Sequence, residues 1–298
     1  MTDLLLTDGG LETSLIFTQG LDLPEFAAFP LLETEDGRRA LRAYWKPFLS
    51  IATEQGVGFV VDTPTWRANG DWGRALGYDA DALARANRAA AAFARELASE
   101  VEDAIVNGVV GPRGDGYVVD AVMTVAGAAE YHVPQVAALA EGGVDQVSAI
   151  TMTYADEAIG FVQAARGIGV PAVVSFTVET DGRLPSGEGL RQAIESVDDA
   201  TGEAAEFFMV NCAHPTHFAQ VLDDSGPWLR RIGGIRANAS MMSHEELDAA
   251  EELDAGDPAD LAKHYLALRE RLSELRVLGG CCGTDHPHIR AIAEMWQA

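Results

Sequence analysis

The chain has 298 residues, 48% of them hydrophobic and 22% charged, enough to bury a sizeable core. Its 46 Asp and Glu outnumber 21 Lys and Arg, and the formal net charge of -25 repels nucleic acid and anionic membrane surfaces. No apolar run reaches the ~18–20 residues of a membrane span, so the expectation is a soluble protein that acts on small molecules, its surplus carboxylates serving solubility.

The first residues, MTDLLLTDGG, put no basic flank ahead of their short apolar stretch. They read as a first strand and not as a signal peptide, and a cytoplasmic location follows. From there, short runs rich in Val, Ile and Leu alternate with longer Ala-, Glu- and Leu-rich segments of helical period, the pattern of a parallel sheet with helical crossovers. Strands are predicted at 4–8, 58–62, 106–111, 144–150, 171–177, 206–211, 232–236 and 276–280. Helices are predicted at 81–103, 134–141, 155–168, 190–199, 214–223 and 258–275. The most acidic run, HEELDAAEELDAGDP at 244–258, reads as a solvated helix and loop on the rim. No linker or repeat divides the chain, so a single α/β domain over 1–298, a (β/α)8 barrel, is the expectation.

The three cysteines all fall at strand ends. Cys212 closes the sixth predicted strand in MVNCAHP; Cys281 and Cys282 follow the eighth in LGGCCGT. An odd count with two adjacent members makes a poor disulfide framework, and metal binding or nucleophilic chemistry is the more natural use. In a barrel the ends of strands six and eight open on the same face, where three thiolates suit Zn²⁺ and leave a fourth position open. Gly279, Gly280 and Gly283 give the backbone room to turn both neighbouring thiols toward one ion. Buried, inert cysteines are the plainer alternative, but chance seldom puts every cysteine at a strand end. His214, His217, His286 and His288 lie nearby, and helix capping or loop-carbonyl bonding is the simpler use for them.

Six stretches together carry a resemblance: DGGLETSL at 8–15, DTPTWRAN at 62–69, GPRGD at 111–115, SFTVETDGRLPSG at 175–187, VNCAHP at 210–215 and GGCCGTDHPHI at 279–289. Across nearly its whole length the sequence resembles the zinc-dependent homocysteine S-methyltransferase family, with its selenocysteine- and betaine-type members. The distant Cys followed by GGCC is the specific part. The resemblance implies a (β/α)8 barrel with zinc on Cys212, Cys281 and Cys282, a small thiol acceptor, and a cationic sulfonium or quaternary ammonium methyl donor that enters directly. Homocysteine going to methionine is the leading reading, with another small thiol or selenol as the variant. A zinc-binding or redox-sensing barrel without turnover is the rival from another class. Monomer and small homo-oligomer are both open.

Substrate contacts are expected from Asp8, which matches the family's carboxylate, from Glu12, Thr63 and Glu179, and from Asn211 beside Cys212. Trp66, Trp72 and Tyr154 are candidates for facing a cationic donor. One position departs from the family pattern. Where many members end the fourth strand with a Glu that helps hold the amino group of homocysteine, VSAITMTYADEA places Ile150. Either Glu12 or Glu179 then replaces that carboxylate, or the acceptor has no amino group there.

Overall fold

A computed structural model describes residues 4–119, 121–250 and 252–298. Eight parallel strands, β1 (Leu5–Leu6), β2 (Gly58–Asp62), β3 (Ala104–Val110), β4 (Gln146–Met152), β5 (Ala172–Thr177), β6 (Ala205–Asn211), β7 (Ile232–Ala237) and β8 (Val277–Gly280), pair in sequence order. β8 pairs with β1 and closes a barrel. Each strand is followed by a helix: α1 (Glu35–Gln55), α2 (Ala80–Ala98), α3 (Val125–Glu141), α4 (Ala155–Ile168), α5 (Leu190–Thr201), α6 (Pro215–Phe218), α7 (Pro258–Arg269) and α8 (His286–Gln297). This is the (β/α)8 architecture read from the alternation. No helix among the described residues is long and apolar enough to cross a membrane.

The helices start where their caps dictate. Side chains of Thr34, Asp79, Thr124 and Asp257 accept the free backbone N–H groups of α1, α2, α3 and α7. Two helices escape the sequence prediction. Gly37 and Pro47 interrupt the helical signal of α1, yet Gly37 is needed there, because any Cβ would collide with the Leu31 carbonyl. α8 begins straight after the cysteine motif, with a histidine-rich first turn held by Asp285. α3 extends nine residues N-terminal of its predicted start because Pro134 lies inside the helix and does not open it.

The larger apolar core lies between strands and helices, with Trp45, Phe93, Phe161 and Phe208 among its fully buried members. A smaller cluster that includes Val60, Val109, Ile150, Phe207 and Met209 is joined inside the barrel by polar groups. Asn107 donates to Asp62 Oδ1 at 2.7 Å and accepts from Ser148 Oγ at 2.7 Å, which satisfies these buried groups. The acidic 244–258 run departs from expectation. After a short helix, His244–Asp248, its Leu247, Ala250, Leu253 and Asp254 wall a cavity at the barrel mouth, so the run is more than a solvated rim; Glu251 lies outside the described residues.

Candidate active site

Cys212 follows β6 directly, and Cys281 and Cys282 follow β8, with β7 between the two strands. Cys212 adopts a left-handed backbone, φ 52°, held from several sides. Its N–H donates to the Arg236 carbonyl at 3.1 Å, and its own carbonyl meets Asn238 Nδ2 at 3.0 Å and His244 Nε2 at 2.7 Å. Gly280 has no space for a Cβ, which would meet Thr284, so β8 can lie close against the loop that carries that threonine. Gly283, at φ 77°, turns the chain after the pair.

The three sulfurs lie within 4.8 Å of one another. Three thiolates are a donor set that suits Zn²⁺ in its chemistry, with Zn–S of ~2.3 Å. The structure also corrects the sequence reading. Cys212 and Cys281 are joined as a disulfide, across a Cα–Cα separation of 5.3 Å and 69 residues of chain. Adjacency argues against a Cys281–Cys282 bridge, but it says nothing against pairing either residue with Cys212. Cys282 stands outside the bridge, its Sγ 3.6 Å from Tyr117 Oη. With that bridge reduced, all three sulfurs become available as ligands.

A cavity of about 380 Å³ lies over the cysteines. Asp8, Glu12, Thr63, Trp66 and all three cysteines line it, together with Ile150. The remaining candidates lie elsewhere. Asn211 donates to Thr151 Oγ1 at 2.8 Å and accepts from Thr151 N and Ser175 Oγ, locking β4, β5 and β6 together. Glu179 meets His244 Nδ1 at 3.1 Å and so steadies the imidazole that bonds Cys212's carbonyl. Tyr154 accepts the N–H of Met123. The Arg67 guanidinium covers one face of Trp66 and one of Trp72, 4.3 and 3.7 Å from their ring centroids. His214 caps α6, His288 caps α8 through Asp285 N, and His217 meets the Met241 carbonyl. Burial and the neighbouring His264 and His217 pull His214 down to about 4, so it is neutral and accepts hydrogen bonds at physiological pH.

Sequence reading misses two cavity residues of opposite sign to the field. Arg236, next to last in β7, reaches Asp8 Oδ1 with Nη2 at 2.5 Å, Asp62 Oδ2 with Nη1, and the Gly280 carbonyl with Nε. Arg67 is the second. The available signal was an arginine near the end of an otherwise apolar strand, IGGIRA, and one in TWRAN beside a strand end. One guanidinium between two buried carboxylates leaves a charge surplus. Burial therefore raises Asp8 above the usual carboxylate range despite Arg236, and Asp62 adds to the rise.

Burial, with Asp8 adding, raises Glu12 from 4.5 to about 7. A raised acid favours the folded state only while protonated, so its contribution falls as pH rises from about 4.5 to about 7 and is flat above. Stability of wild type minus that of Glu12→Gln should therefore drop across that window, with a slope of at most about 1.4 kcal/mol per pH unit. Urea denaturation at pH 4.5, 5.5, 6.5 and 7.5 measures it, and a pH-independent difference would contradict this assignment.

The comparisons with known proteins bear on this site. The family model described as Homocysteine S-methyltransferase matches residues 5–296. The chain belongs to the homocysteine S-methyltransferase family. Among solved structures, it is similar to the metallated form of the homocysteine methyltransferase MmuM from Escherichia coli, with 18% identity, TM-score 0.72, and coverage of 98% of this chain and 96% of that one. The oxidised form of the same protein aligns at 20% identity and TM-score 0.75, with coverage of 98% and 96%. No curated protein sequence matches the chain. As a member of this family it is a thiol methyltransferase, and its three-cysteine group at the barrel mouth could hold a metal ion.

Proposed function

We propose that this protein is a zinc-dependent S-methyltransferase that moves a methyl group from a small sulfonium or quaternary ammonium donor to a small aliphatic thiol, with Cys212, Cys281 and Cys282 as the metal ligands. The observation that carries this reading is the convergence of all three cysteine sulfurs on one cavity. Zinc bound there would act as a Lewis acid that keeps the acceptor sulfur ionised near neutral pH. The cavity walls hold thiol and donor together out of bulk water, which supplies much of the rate. The thiolate lone pair forms the new S–C bond as the methyl–sulfur or methyl–nitrogen bond breaks, and the bonding pair leaves with a neutral thioether or amine. The thiol proton passes to solvent. Asp115, Asp254 and Phe26 all line the cavity and would give a cationic donor carboxylates and an aromatic surface.

The test is a screen of onium donors against thiols, including homocysteine, with reduced, zinc-loaded protein and mass-spectrometric detection of the thioether. Formation of a thioether that requires protein, thiol and donor is the expected result. The Cys212–Cys281 bridge favours one second reading, a redox-responsive barrel without turnover. Under that reading no donor gives product, while oxidation still closes the bridge.

A further inference from the structure

Cys212, Cys281 and Cys282 all line the cavity into which a methyl donor enters. As metal ligands they are thiolates, and the thiolate is the nucleophilic form of a cysteine. An onium methyl group therefore meets three sulfurs of the protein besides that of the acceptor. Attack by a cysteine would form a cysteine S–CH3 bond and break the donor's own methyl bond, whose electron pair leaves on a neutral thioether or amine. The cysteine would end as an uncharged thioether and would no longer serve as an anionic ligand. No proton moves in that step, so approach geometry and the electron density on each sulfur are what restrain it.

Two of the three sulfurs face a hydroxyl. Tyr117 Oη stands 3.6 Å from Cys282 Sγ. Its ring is stacked on the His244 imidazole, with centroids 4.0 Å apart, and its N–H donates to Asp115 Oδ1 at 2.7 Å. Thr151 Oγ1 lies 4.0 Å from Cys212 Sγ, and a bulge in β4 puts it there. The pairing of β4 with β5 slips between Ala149 and Met152, and Thr151 takes a left-handed backbone, φ 69°, that a β-branched residue rarely adopts. Side chains take up the backbone groups at the slip: Trp66 Nε1 donates to the Ile150 carbonyl at 3.1 Å, and Thr151 N donates to Asn211 Oδ1 at 3.0 Å. Asn211 Nδ2 donates to Thr151 Oγ1 at 2.8 Å, which leaves the hydroxyl proton for another acceptor. A thiolate has no proton to give, so against a ligated cysteine the hydroxyl is the donor in both contacts. Cys281 differs: the Thr284 hydroxyl goes to its carbonyl at 2.7 Å, and no hydroxyl meets its sulfur among the described residues.

We propose, on the methyltransferase reading above, that Tyr117 and Thr151 protect Cys282 and Cys212 from methylation by the enzyme's own donor. Each hydroxyl donates to one ligand thiolate and stabilises its charge, which makes that sulfur a poorer nucleophile and leaves the methyl group to the acceptor. Both are positioning residues that act through a ligand sulfur.

Iodomethane, a methyl donor that needs no recognition by the cavity, is the probe. It is applied to the reduced, zinc-loaded full chain; peptide mass spectrometry locates the methylated cysteines, and zinc is measured in parallel. Tyr117→Phe keeps the ring and removes the hydroxyl. Initial methylation of Cys282 should accelerate about 3- to 10-fold in this variant at unchanged zinc content. That is the share of a charge-assisted hydrogen bond that a sulfur nucleophile of Brønsted slope ~0.4–0.5 expresses in its rate. Thr151→Ala should do the same at Cys212, whereas Thr151→Ser, which retains the hydroxyl, should not. In wild type the first methyl should fall on Cys281. Tyr117→Phe tests the proposal by itself if the Thr151 variants do not fold. Equal rates at Cys282 in wild type and Tyr117→Phe would overturn it. So would an acceleration that tracks loss of zinc, because the hydroxyl would then support the metal and not shield the sulfur. Failure of the enzymatic reading looks different: the cysteines react in this order, yet no onium donor yields a thioether from an added thiol. A reduced chain that binds no zinc would overturn both.

Discussion

Cys212→Ser, Cys281→Ser and Cys282→Ser should each strip zinc from the reduced protein and abolish methyl transfer while the barrel stays folded. Removing one of three protein thiolates replaces a soft anionic ligand by a hydroxyl that stays protonated at neutral pH. The expected loss in zinc affinity is on the order of 10²-fold or more. The fold should survive because all three positions lie just past strand ends, and the exchange of one sulfur for oxygen removes no packing partner from the main core. Metal analysis after dialysis, with circular dichroism as a control, measures the effect. Full occupancy in all three variants would reject the three-cysteine site. Oxidation supplies a second contrast. Wild-type protein with the Cys212–Cys281 bridge closed should hold little zinc and regain it with reductant, whereas Cys282→Ser should regain none.

The second large effect is expected at Arg236→Met, which removes the single cation between two buried carboxylates. Breaking a buried ion cluster from one side leaves uncompensated charge and costs about 3–5 kcal/mol. In a chain of this size that corresponds to a drop in Tm of roughly 6–20 °C. The loss should deepen as pH rises and Asp8 ionises. Restoring charge balance should undo most of it, so Asp8→Asn and Asp62→Asn added to Arg236→Met should recover stability, since an uncharged cluster of similar volume needs no cation. Thermal or urea unfolding of the three proteins decides. A loss below about 1 kcal/mol for Arg236→Met would mean that water reaches the cluster and screens it.

The barrel was legible because strands buried on both faces must read as short, continuous apolar runs. GFVVD is observed at its predicted bounds, and the other strands all lie within two residues of theirs. The helices were less legible. α1 hides behind Gly37 and Pro47, which tertiary packing tolerates and local propensity does not. The cysteine cluster could be read because all of its members sit at strand ends, and barrel topology alone then gathers them. The ion cluster could not. Asp62 and Arg236 are 174 residues apart, and nothing local marks an arginine as the partner of two aspartates rather than as surface. Likewise, TWRAN does not reveal that Arg67 lies over one face of each of Trp66 and Trp72.

The closure of the barrel sets the order of assembly. β1 contributes only two residues, and it pairs Leu5 with Val277 and Leu6 with Leu278, contacts that span almost the whole chain. Pairings of such long range carry the largest loop-closure entropy and form late in folding. The loops after β1 and β8 carry Asp8, Cys281 and Cys282, so the three-cysteine group and its cavity come into being only when this seam shuts. An ion that recognises only the closed barrel leaves the folding rate almost untouched and slows unfolding instead, a kinetic lock on the last contacts made.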